Sequence, residues 1–213
     1  MLLRDDIYTT LRQNILSLKL APGSELREQL VAEEFSVSKS PVREALLRLE
    51  QERLVEIMSR QGYRVAPISI SDAQDMYSFR IVLEAACAIE AARRATKEQL
   101  VALDDFRTHS KVGGNSAFIN RNREFHCLLF EMTGNMRMSL VARDLIEQMD
   151  RMTRISIRAM PDHDPSHLVQ EHSEIIDALQ KRDGRKAAKL LRDHVLAASK
   201  RVLKALSHAA VTT

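Results

Sequence analysis

The sequence is short of glycine and proline, which number 6 and 5 among its 213 residues. Together they make up about 5% of the chain, against a usual share of roughly 12%. Because so few residues favour turns, we expect a mainly α-helical fold. Tryptophan is absent and aromatic residues are only 4%. This argues against a carbohydrate-stacking surface and against single-strand nucleic-acid binding, which needs aromatic stacking platforms.

Long apolar segments are missing as well. The longest uninterrupted apolar run, residues 85–89, is far shorter than the roughly 18 residues that a membrane span needs. Arg4, Asp5 and Asp6 leave no room for the apolar core of a signal peptide. The two cysteines form neither a CxxC motif nor a disulfide framework, which fits a reducing compartment. We therefore expect a cytoplasmic protein with no membrane partner.

The few glycines and prolines divide the chain into two predicted domains, residues 1–68 and 69–213. In the first, hydrophobic periodicity predicts three short helices and then a β-hairpin. The helices cover residues 5–18, 26–35 and 38–52, and the two strands cover residues 54–58 and 63–66. In the second helix, Leu30 and Val31 are expected to face inward. The second domain reads as an all-α bundle of six helices, at residues 71–95, 96–112, 116–133, 135–159, 166–182 and 183–206.

Three helices followed by a hairpin describe a winged helix-turn-helix, a fold that places one helix in the DNA major groove. Such a helix needs compact polar and cationic side chains at its start and an apolar back face. Ser38, Lys39 and Ser40 open the third predicted helix, and Arg43 follows one turn later. The sequence therefore predicts a protein that binds double-stranded operator DNA.

The segment PGSELREQLVAEEFSVSKSPVREALLRLEQERLVE closely resembles the N-terminal domain of the GntR family of bacterial transcription regulators. The matching features are Pro22-Gly23, Leu26, Glu28, the unbroken stretch 37–46, Arg48-Leu49 and the wing glycine Gly62. Arg53 stands where the family usually has a glycine after the recognition helix, a position that suits a left-handed C-cap.

The resemblance implies a set of DNA contacts, with alternatives for several of them. The implied contacts are Arg27, Ser38, Lys39, Ser40, Arg43 and Arg48, together with Arg60, Gln61 and Gly62 of the wing. Arg43 could instead form a salt bridge with a neighbouring glutamate, and Lys39 could simply be solvated. Arg27 and Arg48 could pair within the domain. Because one helix in one groove binds weakly, we expect a homodimer on a palindromic site.

Bulk charge does not carry the DNA prediction. The chain has a net charge of +3 and a pI near 9.0. Residues 1–66 nevertheless hold ten basic and ten acidic side chains, so the whole excess lies in residues 67–213. DNA binding would depend on where particular cations lie, such as Lys39 and Arg43, with Arg60 and Arg64 flanking the wing.

Three histidines of the second domain lie on apolar helix faces. They are His126, His172 and His194, each in a different predicted helix. A single buried histidine is usually a hydrogen-bonded core residue, but three neutral imidazoles in one bundle are natural ligands for a divalent metal. Asn122 is four residues before His126 and therefore shares its helix face.

The runs NRNREFHCLLFEMTGNMRM, EHSEIIDALQKRDGRKA and LRDHV are similar to the FCD ligand-binding domain of the FadR subgroup. The resemblance implies that Asn122, His126, His172 and His194 hold a divalent metal ion, zinc or nickel, with Asn122 as a ligand or as the residue that orients a water. Six helices after the linker suggest the shorter, VanR-like arrangement.

Arg80 and Glu84 match the start of that domain. Arg80 could bind a small carboxylic-acid effector through a bidentate pair, or it could form an i,i+4 pair with Glu84. We therefore expect a ligand-responsive transcription regulator. The alternatives are a regulator that senses the metal itself and a metal-dependent enzyme, although the sequence lacks HExxH, GxSxG and phosphate-loop motifs.

Overall fold

The computed structural model describes residues 3–59, 61–108, 114–159 and 166–211. The chain divides into two compact units, Met1–Ser69 and Ile70–Thr213. In the first unit the elements are α1 (Leu3–Leu16), β1 (Glu25–Leu26), α2 (Glu28–Glu34), α3 (Lys39–Gln51), β2 (Val55–Met58) and β3 (Gly62–Val65). In the second they are α4 (Ile70–Arg94), α5 (Lys97–Ala102), a 3-10 helix (Leu103–Arg107), α6 (Gly114–Glu131), α7 (Met136–Arg158), α8 (Ser166–Gln180) and α9 (Gly184–Val211).

The first unit confirms the predicted winged helix-turn-helix and adds one strand to it. Strands β2 and β3 form the antiparallel hairpin, with Val55 opposite Val65. The two-residue strand β1 pairs with the other edge of β3, so the sheet order is β1-β3-β2. Apolar residues of α1, α2, α3 and the sheet form one core beneath the hairpin.

Helix α3 is anchored by its apolar face. Val42, Leu46 and Leu49 are completely buried, and Pro41 lies in the first turn, where a missing N–H removes no helix bond. Ser38 occupies the predicted N-cap position with extended backbone, but its side chain makes no capping bond. The apolar face fixes the helix in its unit, and the polar side chains of its first turns are left at the surface.

Two local predictions were wrong. Leu30, expected to face inward, is 59% exposed, while Val31 and Ala32 are buried. The helix expected over residues 96–112 is, within the described residues, α-helical for Lys97–Ala102 and then tightens into the 3-10 helix. Residues 109–112 of that prediction lie outside the described residues. Arg107 accompanies this change, because it bonds Asp104 within the 3-10 turn and the Ser173 carbonyl of α8. The 3-10 segment is thereby held against α8.

The scarcity of glycine is visible where helices end. Four non-glycine residues take positive φ angles near +60°, a conformation that glycine adopts most easily: Leu18, Ser36, Arg53 and Arg182. At Arg53, φ is 57°. Its N–H bonds the Glu50 carbonyl, and the next N–H bonds the Leu49 carbonyl. The turn that glycine usually makes in the family therefore forms here with arginine.

The second unit is an all-α bundle of six α-helices and one 3-10 helix within the described residues. Helix α9 packs along α4, and Gly184 permits the approach at its start, because a Cβ there would lie 3.1 Å from the Ile89 Cα. Apolar side chains of α4, α6, α8 and α9 share the main core of this unit. In the described part of the chain, none of the helices has the length and apolar character that crossing a bilayer requires.

Candidate functional site

The first turns of α3 present the side chains expected to contact DNA. Ser38, Lys39, Ser40 and Arg43 are all exposed. The Arg43 guanidinium forms a two-pronged pair with Glu28 of α2, in which Nε and Nη2 each donate to one carboxylate oxygen at 2.8 Å. Glu28 therefore holds Arg43 in one orientation, and the pKa of Glu28 is lowered mainly by that hydrogen-bonded pair. The sequence left a salt bridge between Arg43 and a glutamate as an alternative to a DNA contact, and the structure contains such a pair with Glu28.

Arg27 and Arg48 also form pairs within the first unit. Arg27 bonds Glu25 at 2.8 Å in an exposed pair. The Arg48 guanidinium lies 3.6 Å from the centre of the Tyr8 ring, with a Glu52 carboxylate oxygen 3.9 Å from its Nε. For both arginines, the structure contains the intradomain contacts that the sequence left as an alternative.

The wing is described in part. Gln61 is exposed, and Gly62 has a φ of 97°, in a position where a Cβ would lie 3.2 Å from the Leu26 carbonyl oxygen. A side chain at Gly62 would therefore strain the junction between β1 and β3. Arg60, the remaining wing residue of the prediction, lies outside the described residues.

In the second unit, the three predicted histidines meet. His126 of α6, His172 of α8 and His194 of α9 each offer a ring nitrogen, and these atoms lie within 4.8 Å of one another. Their ring centres are 4.9–5.6 Å apart, and all three residues are buried. Residues spaced 46 and 22 positions apart along the chain are thus brought to one point.

Helix α4 lines this cluster with a buried ion pair. Arg80 Nε donates to one oxygen of Glu84 at 2.5 Å. The other Glu84 oxygen lies 2.8 Å from His126 Nδ1. Burial alone would raise the pKa of Glu84, but the Arg80 guanidinium and the His126 ring lower it to about 2. Glu84 is therefore a carboxylate that accepts from both neighbours.

Two of the rings, those of His126 and His172, are neutral at pH 7. Burial lowers the pKa of His126 to about 4, although Glu84 opposes that shift. Burial, followed by the neighbouring His194, lowers the pKa of His172 well below its usual value. The Nε2 atoms of His126 and His172 are buried and have no hydrogen-bond partner among the described residues. Buried, unpaired ring nitrogens beside a third imidazole fit a divalent metal, because neutral imidazole is a common ligand for such ions.

A pocket borders the cluster at His194. It is partly open to solvent. Its lining includes Arg80, Asn122 and Arg201 and, among the described residues, no carboxylate. Arg80 Nη2 is buried without a hydrogen-bond partner among those residues. Both alternatives for Arg80 are thus present: it pairs with Glu84 and also lines a pocket. An anion fits this lining because its two charged side chains are both cationic.

Sequence reasoning missed three neighbours of the cluster. Glu171 approaches His194, with an oxygen 2.6 Å from Nδ1. Phe125 stacks on His172 at 4.0 Å between ring centres. Arg201 adds the second cation of the pocket. The spacing of a single sequence does not signal these contacts, since Glu171 precedes His172 in the chain but bonds His194, and Phe125 precedes His126 but stacks on His172.

Comparison with known proteins agrees with this architecture. Residues 3–65 match the family model "Bacterial regulatory proteins, gntR family", and residues 75–197 match the FCD domain. The HTH-type transcriptional repressor RspR of Escherichia coli K12 is 30% identical over 195 residues, which cover 89% of this chain and 84% of RspR. The repressor GlaR of the same strain is 26% identical over 207 residues, 90% of this chain and 91% of GlaR.

Solved structures show the same fold. E. coli McbR/YncC superposes with a TM-score of 0.81 at 19% identity, over 96% of this chain and 98% of that one. A GntR-family regulator from Pseudomonas syringae pv. tomato gives a TM-score of 0.60 at 26% identity, over 99% and 89% of the two chains.

The chain belongs to the GntR family, with a winged helix-turn-helix followed by an FCD domain. It is a transcriptional regulator rather than an enzyme.

Proposed function

We propose that this regulator binds a palindromic operator as a homodimer and changes its operator affinity when a small carboxylic acid enters the pocket beside a metal-loaded histidine cluster. The observation that carries the ligand part is a set of buried nitrogens without hydrogen-bond partners among the described residues: Arg80 Nη2, His126 Nε2 and His172 Nε2. Such groups are costly to bury and are usually satisfied. A metal ion and an anion would satisfy them.

For DNA, we assign base and phosphate contacts to the first turns of α3. Lys39, Ser40 and Arg43 are exposed there, and an arginine reads guanine through two parallel hydrogen bonds in the major groove. Ser38, Arg27 and Arg48 would reach phosphates, and the wing with Arg60, Gln61 and Gly62 would follow the backbone or the minor groove. Two copies related by a two-fold axis would read two half-sites.

For the metal, we assign His126, His172 and His194 as ligands, with Asn122 as a fourth ligand or as the residue that orients a water. Zinc and nickel both suit imidazole nitrogens. When bound, the ion would supply an open coordination position for a carboxylate oxygen. Arg80 would hold the same carboxylate by a charge-assisted hydrogen bond.

The direction of control follows from ligand preference. A ligand changes operator affinity only if it binds more tightly to one arrangement of the dimer than to the other. RspR and GlaR are both named repressors, which supports repression, and in our proposal the acid relieves it. Since DNA lies in the cytoplasm of bacteria, we place the protein there.

The test begins with selection of bound duplexes from a random DNA library by the purified full chain. We expect a two-fold symmetric site. Metal-stripped protein and protein loaded with Zn²⁺ or Ni²⁺ are then titrated onto that duplex, with and without a panel of small carboxylic acids. Release that requires both metal and acid supports the proposal. Release on chelation alone would show instead that the metal is the signal.

The ligand set is tested separately by metal analysis. His172→Ala and His194→Ala should each reduce the bound metal from one ion per chain to background. Lys200→Ala, an exposed position of α9, is the control. Full metal content in both histidine variants would remove this cluster from the proposal.

A further inference from the structure

Two of the three histidines in the cluster have a carboxylate oxygen within hydrogen-bond distance of ring nitrogen Nδ1. Glu84 of α4 meets Nδ1 of His126 at 2.8 Å, and Glu171 of α8 meets Nδ1 of His194 at 2.6 Å. Each contact crosses between helices, from α4 to α6 and from α8 to α9. Both histidines are thus held by a hydrogen bond to a carboxylate, and the two carboxylates come from different helices.

Each contact determines where the ring proton lies. A carboxylate only accepts hydrogen bonds, so Nδ1 of the imidazole must carry the hydrogen and donate it. In a neutral ring, the other nitrogen, Nε2, then keeps its lone pair. For His126, that Nε2 is buried and has no partner among the described residues. The hydrogen bond to Glu84 therefore leaves Nε2 of His126 with a lone pair that a metal could accept, and it restrains the plane of the ring.

His172 is oriented in another way. Its ring lies parallel to Phe125, with 4.0 Å between ring centres and 23° between planes. Its Nε2 is also buried without a partner in the described part of the chain. The stacking contact restrains the ring plane, so the cluster combines two rings that contact carboxylates with one that stacks on an aromatic face.

We propose that Glu84 and Glu171 are positioning residues that preset His126 and His194 as Nδ1–H tautomers with Nε2 directed at a shared metal. The inference rests on the proposed metal site and adds to it the residues that fix its geometry before metal arrives. Outer carboxylates of this kind orient metal-binding histidines and raise their basicity, and their loss commonly weakens metal binding about 10- to 100-fold.

The two carboxylates differ in how safely they can be changed. The Glu84 side chain is 2% exposed and also holds Arg80, so its replacement leaves a buried arginine without its partner. The Glu171 side chain is 34% exposed, so Glu171→Ala disturbs packing little. Glu174 lies on the same helix, is exposed and bonds Gln170. Glu174→Ala is therefore the matched control, and Glu90→Gln serves the same purpose for Glu84→Gln on α4.

The first measurement needs no metal. Long-range ¹H–¹⁵N correlation spectra of the metal-stripped full chain report the protonated nitrogen of each imidazole. We expect Nδ1–H for His126 and His194, and a change in the His194 pattern in Glu171→Ala but not in Glu174→Ala. Nε2–H tautomers at these two rings in the wild-type chain would overturn the inference.

The second measurement is affinity for Zn²⁺ and for Ni²⁺, by competition with a chromophoric chelator. Glu171→Ala and Glu84→Gln should bind about 10- to 100-fold more weakly than wild type, while both controls bind as wild type does. Equal affinity in Glu171→Ala and Glu174→Ala would overturn the inference while leaving the metal site standing. If the wild-type chain takes up neither ion, the metal part of the proposed function fails, and the tautomer spectra still decide whether the carboxylates set the rings.

Discussion

The candidate sites of the two units hold their charged side chains in different environments. In Met1–Ser69, arginines meet carboxylates at the surface: the side chains of the Arg43–Glu28 pair are 60% and 18% exposed. In Ile70–Thr213, the Arg80 and Glu84 side chains are 5% and 2% exposed. Asp150 and Arg151 of α7 are buried as well. The arginine–glutamate pair of the candidate DNA interface is therefore solvated, whereas that of the candidate ligand site lies in a desolvated interior.

This difference matches the partner each unit is proposed to take. A surface ion pair contributes little and is screened by salt, so Arg43 can exchange Glu28 for a nucleic acid at low cost. A buried charge stays only if it is paired, because desolvation costs several kcal/mol per ion. Buried groups such as Arg80 therefore suit a small ligand that enters a pocket. Three predictions test the contrast between the two units.

The largest effect is expected at the surface of the first unit. Arg43→Ala should weaken binding of the selected duplex roughly a thousandfold, since the proposed bidentate base contact would be lost in each half of the proposed dimer. Fluorescence anisotropy at one fixed salt concentration measures the loss. Arg94→Ala removes the same charge from an exposed pair with Glu90 in the other unit and should leave affinity unchanged. If Arg43→Ala binds the duplex like wild type, α3 does not read it through this arginine.

A smaller effect, on stability, is expected inside the second unit. Burial raises the pKa of Asp150 to about 6 although Arg123 opposes the shift. A raised pKa means that the folded state favours the protonated form. Its stabilisation is complete below the ordinary value of 3.8 and is lost as pH rises through 6. The loss is worth about 3 kcal/mol for a shift of roughly two units.

Asp150→Asn mimics the protonated form at every pH. The free energy of unfolding of wild type relative to this variant should therefore fall by about 2 kcal/mol between pH 4 and pH 7, because pH 4 already lies just above the ordinary pKa. Other titrating groups are common to both proteins and cancel. Urea unfolding across that range measures the difference, with Asp144→Asn, on the exposed face of the same helix, as control. A difference that stays constant with pH would show that Asp150 is not desolvated as described.

Much of the fold and part of the candidate site could be predicted from the sequence. Periodicity with glycine and proline boundaries predicted the helices within a few residues, because each amphipathic face is a local pattern. The apolar stripes also predicted that His126, His172 and His194 would lie inside. The sequence could not predict that Glu84 and Glu171 contact these rings, since contacts between helices depend on rotation and offset that spacing does not encode. It also missed β1, which is two residues long and exists only by pairing with β3.

The exposed positions were the least predictable. Leu30 lies at a position that periodicity alone assigns to the core, but α2 is only seven residues long, so a shift of one residue changes which side faces inward. Arg53 stands where the family usually has glycine, yet the left-handed turn forms there with arginine. The hydrogen bonds that close the turn come from backbone atoms, so they do not require a particular side chain.

The smallest expected effect concerns the Arg43–Glu28 pair, which Arg43 would give up when it binds DNA. Glu28→Gln removes a negative charge from the proposed DNA-facing side of the first unit and loosens the orientation of Arg43. Affinity for a scrambled duplex should therefore rise, by at most about fivefold as for other exposed pairs, while affinity for the selected duplex gains less or falls. The ratio of the two affinities, measured by anisotropy at two salt concentrations, should decrease. Glu25→Gln, which breaks the exposed pair with Arg27, is the control for the charge alone. If both variants shift the ratio equally, Glu28 acts only through its charge. If only Glu28→Gln lowers the ratio, the pair with Glu28 also orients the Arg43 side chain.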